Sequence, residues 1–482
     1  MHLKQKTITG IGWSIIDNAY SQIVTFTVGI ILARLLEPRD FGLVGMITIF
    51  IAVAQSFVDS GFSQALIRKQ DCIDKDYSTV FYFNILVSVG FYLILFFSSG
   101  LIASFFNQLD LINIIKVLGL GIIINGFGIV QSAQLTKEID IKTLTKVAAI
   151  ANTTSGIISI YLAYIGFGVW SLVWRSISNN FFRNLLLWLW HKWRPIFVFS
   201  IESFKELFGF GSKLLASGLL NTIFENIYFL VIGKYFDAQQ LGYYTRSVSF
   251  ANLPSANVNG VIQRVSYPVL SKLQDDSHAL KAGFKKLITN TMFITFFLMM
   301  ILAAIAKPLI LTLIGAKWEQ SIIYLQLLCF SLMLYPLHSL NLNVLNVKGR
   351  SDLFLKLEVM KKILVVPVIF IGIIWGIIPM LIGMIITSFI ALFLNTKYTG
   401  HLINYVVFEQ LKDLTPSFLI AAFIGIILFL TNFVINTRPV ILLIIQIILG
   451  FLLLIGLSEK LKIEPYFDIK KILTDKINTV RK

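Results

Sequence analysis

At 482 residues, 56% of them apolar, and with a mean hydropathy of +0.80, this chain is excluded from the water-soluble class. The net charge of +16 reads as membrane topology and attraction to anionic head groups, not as nucleic-acid binding. Two cysteines, Cys72 in a polar gap and Cys329 in an apolar run, have neither metal-ligand spacing nor a disulfide framework.

Spans of roughly 20 apolar residues recur with short polar gaps, as membrane-crossing helices require. Fourteen are expected, at 12–33, 41–64, 77–105, 111–134, 143–165, 167–190, 207–233, 243–268, 284–306, 320–346, 353–375, 377–396, 415–435 and 438–458. The expected class is therefore an all-α polytopic membrane protein. The first span is too long and too polar between Asp17 and Gln22 to be a cleavable signal core. An even number of spans puts both termini on one side, and the positive-inside rule makes that side cytoplasmic. The opposite loops then hold only Arg34, Arg39, Lys116, Lys234, Lys307, Lys317 and Arg438.

The chain repeats itself. Gly10-Ile11-Gly12 returns as Gly209-Phe210-Gly211, and Arg34–Leu43 (R-L-L-E-P-R-D-F-G-L) returns as Lys234–Tyr243 (K-Y-F-D-A-Q-Q-L-G-Y). Asp17, Ser21 and Thr25 align with Ser217, Asn221 and Glu225, and Gly61 and Gln64 align with Gly260 and Gln263. Two copies of a membrane unit are the usual plan of a secondary transporter with its site between packed lobes. Two parallel six-helix lobes, 1–190 and 207–400, are expected around a central cavity. A linker at 191–206 joins them, two additional helices occupy 401–458, and a cytoplasmic tail covers 459–482. The Trp-rich, basic linker predicts an interfacial anchor followed by a short amphipathic helix on the cytoplasmic surface.

Signatures of ATP-driven or soluble enzymes are absent: there is no G-x-x-x-x-G-K-[ST], and no metal-ligand or cofactor pattern. Among the five histidines, only His338 falls inside a span, where it reads as a packing residue. The charges inside spans are different. An arginine at a helix centre costs about 2.5–3.5 kcal/mol on insertion scales, so it normally faces a watery cavity or a partner. Arg175, Asn179 and Arg183 recur at i, i+4, i+8 in the sixth span, which sets the arginines about 12 Å apart on one face. Planar, permanently charged guanidinium groups suit phosphate oxygens. The eighth span carries Arg246 and Arg264, with Asn252, Pro254, Asn257 and Asn259 between them, a stretch too polar to face lipid. Arg175, Asn179, Arg183, Arg246, Asn257, Asn259 and Arg264 are the candidate substrate-binding residues. Asp17, Asp59 and Glu225 are open to three readings: counter-ions for the arginines, an ion-coupling site, or hydrogen-bonded packing. Asn341, Asn343 and Asn346 either extend the polar lining or bond helix to helix.

The opening G-I-G-W-S, A-R-L-L-E-P-R-D-F-G-L-V-G-M, D-S-G-F-S-Q-A-L-I from Asp59, G-F-G-V-W-S-L-V from Gly166 and R-V-S-Y-P-V-L-S from Arg264 resemble bacterial polysaccharide transporters. The nearest group is the lipopolysaccharide O-antigen and colanic-acid type flippases of the multidrug/oligosaccharidyl-lipid/polysaccharide exporter superfamily. The resemblance runs from about residue 3 to 415. It implies a non-enzymatic, cofactor-free, multi-pass protein of the bacterial inner membrane. Its substrate would be an undecaprenyl-diphosphate-linked oligosaccharide, moved from the cytoplasmic to the periplasmic leaflet by alternating access. The bilayer and a downstream polysaccharide polymerase are the implied partners. A cation-coupled efflux transporter of small amphipathic compounds is the alternative on the same fold. A membrane glycosyltransferase or polymerase fits less well, because the external loops are too short to carry catalytic residues.

Overall fold

The computed structural model describes residues 2–480; the tail's Arg481 and Lys482 lie outside the described residues. In chain order the helices are α1 (His2–Leu35), α2 (Pro38–Asp59), α3 (Phe62–Arg68), α4 (Asp74–Phe106), α5 (Leu111–Gly126), α6 (Ile129–Lys137), α7 (Ile141–Tyr164), α8 (Val169–Trp190), α9 (Ile201–Tyr235) and α10 (Ala238–Ser271). They continue as α11 (Ser277–Ala304), α12 (Ala306–Leu313), α13 (Ser321–Leu332), α14 (Tyr335–Val347), α15 (Ser351–Trp375), α16 (Ile377–Ile403), α17 (Val407–Val434), α18 (Pro439–Lys460) and α19 (Glu464–Val480). No strand occurs among the described residues, so the protein is the all-α, multi-pass membrane protein expected.

Among the described residues, ten helical stretches are long and apolar enough to cross a membrane, or eleven if the bent pair α5–α6 is one span. The expected spans at 167–190, 243–268 and 353–375 are helical too, as α8, α10 and α15, but fall outside that set. Each carries hydropathy-lowering groups: Arg175 and Arg183 on α8, Arg246 and Arg264 on α10, Lys356, Glu358, Lys361 and Lys362 on α15. The last four lie inside the expected span at 353–375.

Helix starts follow local chemistry. Pro38 occupies the first turn of α2, where its missing N–H costs nothing. The Asp140 carboxylate accepts from Thr143 N at 3.1 Å at the start of α7, and Ser200 Oγ accepts from Ser203 N at 3.2 Å at the start of α9.

The chain forms two compact units, Met1–Gly242 and Tyr243–Lys482. The repeat boundary and the packing boundary therefore differ: α9, the first helix of the second repeat, packs with the first unit. The reason is contact between backbones. A Cβ placed on Gly61 would lie 2.5 Å from the Gly211 carbonyl oxygen, so the two chains cross at a distance only glycine permits. Thr222 and Ser56 hydroxyls bond at 3.1 Å, and Lys69 Nζ pairs with Glu206 at 2.8 Å and Asp76 at 3.0 Å. Glu206 and Asp76 together hold the Lys69 ammonium above its usual range. An aromatic core of Phe62, Phe81, Phe204 and Phe208 fills this end of the unit.

The linker corrects one expectation. His191–Ser200 forms no helix; helix resumes only at Ile201. Pro195 cannot donate, and the neighbouring amides find side-chain acceptors on α4 instead. Ile196 N donates to Ser78 Oγ, and Ser200 N to Thr79 Oγ1, both at 3.0 Å. Extended pairing to α4 replaces helix formation there.

In the second unit α11 packs on α17 through Phe297, Ile301, Ile424 and Leu428, with α18 covering the cluster. The tail helix α19 is tied to α11 by Lys286–Asp468, 3.0 Å.

Candidate functional site

In the first unit three helices contribute to one polar chain. Asn179 Nδ2 on α8 donates to Asn152 Oδ1 at 2.8 Å and Ser155 Oγ at 3.2 Å, both on α7. Asn152 Nδ2 donates to Ser21 Oγ on α1 at 3.1 Å, and Ser21 donates to Asp17 at 3.3 Å. Tyr20 and Thr153 add a hydroxyl pair at 2.8 Å. Asn179 thus stands between Arg175 and Arg183 and is fixed by α7, which orients the arginine-bearing face of α8. The Asp17 carboxylate and the Arg183 guanidinium act on each other electrostatically without a direct ion pair.

Arg183 also lines a cavity of about 230 Å³ with Asp59, Ser63, Asn125, Ser132 and Asn184. Within it, Ser63 donates to Asp59. A cation and a carboxylate at one cavity, surrounded by hydroxyls and amides, can take up an anionic group beside polyhydroxylated matter. The attraction between Asp17 and Arg183 offsets part of the cost of holding that charge there.

The structure brings Asp17, Asp59, Asn179 and Arg183 into this region, with Arg175 half-buried two turns away on the same face of α8. Glu225 is exposed on α9 and outside that cavity. Asn152 and Ser155 are not among the residues singled out from the sequence. Their i, i+3 spacing in the fifth span, continued by Ser159, was the available signal.

In the second unit, Arg264 and Asn257 are exposed on α10, and Arg246 and Asn259 are half-buried. The Asn257 amide donates to Leu253 O at 2.6 Å, back along its own helix. Asn343 donates to Gln263 at 3.0 Å and Ser266 at 2.8 Å, so this asparagine bonds helix to helix. Asn341 likewise turns back to Leu337 O, at 3.0 Å, while Asn346 is exposed. An apolar cleft of about 450 Å³ lies among α11, α13 and α17, lined by Met300, Ala303, Phe330, Phe418, Gly425 and Phe429. No group of His, Cys, Asp and Glu suited to a metal occurs among the described residues.

Residues 31–323 match the family described as polysaccharide biosynthesis protein. The chain belongs to that family. Among its relatives, the teichuronic acid biosynthesis protein TuaB of Bacillus subtilis strain 168 is 28% identical over 360 residues, 73% of each chain. The lipopolysaccharide biosynthesis protein WzxC of Escherichia coli K12 is 28% identical over 385 residues, 77% of this chain and 76% of that one. The succinoglycan biosynthesis transport protein ExoT of Rhizobium meliloti strain 1021 is 24% identical over 327 residues, covering 68% and 66%. Among solved structures, the lipid II flippase MurJ in an inward closed conformation superposes with a TM-score of 0.77 at 16% identity, over 95% of this chain and 99% of that one. An inward-facing multidrug transporter of the MATE family gives 0.63, at 16% identity and covering 80% and 96%. At that identity the two structures show the fold alone. For a polysaccharide biosynthesis family member, the arginine-bearing α8 and its bracing by α7 now become the groups to explain.

Proposed function

We propose that this polysaccharide biosynthesis family member is a flippase. Its substrate is an oligosaccharide repeat unit joined to undecaprenol through a diphosphate, carried from the cytoplasmic to the periplasmic leaflet by alternating access. The observation that carries the reading is the cavity where Arg183 meets Asp59, amides and hydroxyls, beside a helix face bearing Arg175. A diphosphate cannot cross hydrocarbon unaided and needs fixed positive charge on its path. Guanidinium groups donate paired hydrogen bonds to its oxygens, and Asn125, Asn179, Ser63 and Ser132 offer donors and acceptors to sugar hydroxyls. The prenyl chain needs apolar surface, of which the cleft beside Phe330 and Phe418 is one example. Arg246, Asn257, Asn259 and Arg264 of α10 are assigned to the substrate path from the second unit, and Glu225 to charge balance on α9.

Both termini are placed in the cytoplasm of a bacterial inner-membrane protein. Reporter fusions after Lys69, Lys205 and Lys348 are expected to be cytoplasmic, and fusions after Arg39 and Lys317 periplasmic. A cytoplasmic signal at Arg39 contradicts the topology. Function is tested in cells lacking the protein. Undecaprenyl-linked repeat units are expected to accumulate in the cytoplasmic leaflet, with the surface glycan lost and then restored by the intact gene. Normal glycan without such accumulation overturns the reading.

A further inference from the structure

The segment joining α8 to α9 has a face that the transport reading leaves unused. Two of its tryptophans turn inward. Trp188 Nε1 donates to Phe127 O at 2.9 Å, Trp193 Nε1 donates to Asp74 at 3.1 Å, and both rings pack against the core around Phe62 and Phe81. Trp190, Ile196, Phe197, Val198, Phe199 and Ile201 turn the other way and are exposed, Phe197 to 97%. Four consecutive apolar side chains, 196–199, therefore stand clear of the protein in a stretch that is not helical. A contiguous apolar strip of this kind marks a contact surface.

Non-helical chain can lie against lipid only where the protein satisfies its backbone polar groups. Here the protein supplies the partners. Ile196 N donates to Ser78 Oγ at 3.0 Å, Val198 N to Ile196 O at 2.7 Å and Ser200 N to Thr79 Oγ1 at 3.0 Å, so every second amide across the strip has an acceptor. The Arg194 guanidinium donates to the carbonyls of Trp188, His191 and Trp193 and lies over the Trp188 ring, so this arginine serves the backbone. Lys192 is exposed at the same end, and no carboxylate occurs between Trp188 and Ser200.

We propose that residues 190–201 form a lipid-binding strap whose partner is an anionic bilayer surface. Ile196, Phe197, Val198 and Phe199 insert beneath the head groups, and Lys192 meets the head-group phosphates. α8 ends at Trp190 and α9 begins at Ile201, so the strap runs along the membrane boundary from one crossing to the next, on the cytoplasmic face in the proposed topology. The outward face is then continuous with the lipid-facing sides of both helices. The same contact acts as an amphipathic helix does at an interface, whose apolar face sinks about 5–10 Å into the head-group boundary, with α4 hydroxyls taking the place of helical hydrogen bonds. Positive charge and the lack of a carboxylate suit anionic head groups. Lipid binding by the strap does not depend on what the protein transports.

Spin labels on the full chain in nanodiscs test this, with the discs made of phosphatidylcholine with or without phosphatidylglycerol. Phe197→Cys and Phe199→Cys are labelled separately in a Cys72→Ser background, and Cys329 stays because it is buried. Collision with oxygen, which concentrates in the bilayer, is compared with collision with a water-soluble nickel chelate. Gln70→Cys in the exposed turn before α4 is the aqueous reference, and Leu452→Cys on the exposed face of α18 is the lipid reference. Labels at 197 and 199 are expected to favour oxygen several-fold over the Gln70 label and to approach the Leu452 label. Labels that behave like the one at Gln70 place the strip in water and overturn the proposal. Labels that neither agent reaches mean that protein covers the strip, which overturns it equally. Lys192→Glu is expected to lower the oxygen preference at 197 in discs with phosphatidylglycerol and to leave it unchanged in phosphatidylcholine alone. The same result in both lipids overturns the head-group contact.

Discussion

Arg183→Ala is expected to abolish glycan export while leaving the protein abundant in the membrane, and Arg175→Ala to do the same. Each substitution removes a guanidinium able to donate a pair of charge-assisted hydrogen bonds, and a hydrogen bond to a charged group contributes about 1.5–3 kcal/mol. One lost contact of that size weakens substrate engagement by roughly 10- to 100-fold. In Arg183→Ala the loss is compounded, because Asp59 then lines the cavity with no cation beside it and Asp17 loses the positive charge that acts on it. Lysine at either position keeps the charge but not the planar fork and is expected to restore export only in part. Asn179→Leu would disconnect α8 from Asn152 and Ser155 and should reproduce a milder form of the same defect. Surface glycan and membrane abundance, measured side by side, decide the matter. Full export by the alanine variants removes these arginines from the substrate path, and loss explained by low abundance assigns them to folding.

The second large effect falls on the opening turns of α2 and α10, which the repeat relates: Pro38 to Ala238, Gly42 to Gly242. A Cβ added to Gly42 would sit 1.6 Å from the Ala238 carbonyl oxygen, and one added to Gly242 would sit 1.8 Å from that of Pro38. Each glycine receives the backbone of the other segment's first turn, so the crossing is reciprocal. No side-chain rotation relieves a clash with a carbonyl. Gly42→Ala and Gly242→Ala are each expected to cost at least the about 1–3 kcal/mol typical of overpacking. Gly90→Ala on α4 is the control, because no atom lies within 4 Å of the added carbon and a helical alanine is favoured over glycine by roughly 0.5–1 kcal/mol. Thermal unfolding of the purified protein should show a clearly lowered midpoint for the first two and none for the third. Equal midpoints would mean that the two turns do not pack this closely.

The helices were legible because hydropathy over about 20 residues is a strong signal, and every expected span coincides with helix. The sequence also carried the arginine face of α8, since 3.6-residue periodicity places 175, 179 and 183 together whatever the tertiary structure. What periodicity cannot carry is the partner. That Asn179 would be held by Asn152, and Arg183 would share a cavity with Asp59, depends on which helices pack side by side. The repeat boundary and the boundary between compact units differ by one helix for a related reason. Repeats record duplication, whereas the Gly61–Gly211 crossing that docks α9 on the first unit is a contact between non-equivalent positions. In the linker, aromatic and basic composition implied an amphipathic helix, yet Pro195 and the hydroxyls of Ser78 and Thr79 favour an extended strap. Lys361 and Glu358 pair at i, i+3 inside an expected span, a spacing visible in the sequence.

Purified protein in liposomes containing an undecaprenyl-diphosphate oligosaccharide tests the central claim most directly. The sugar's exposure to an impermeant lectin or glycosidase is followed over time in each leaflet. The protein is expected to speed transfer between leaflets far above the rate in empty liposomes, and Arg183→Ala is expected to return it to that background. Liposomes that transport small cationic dyes against a gradient but never move the lipid-linked sugar would contradict the account and make the protein an efflux transporter on the same fold.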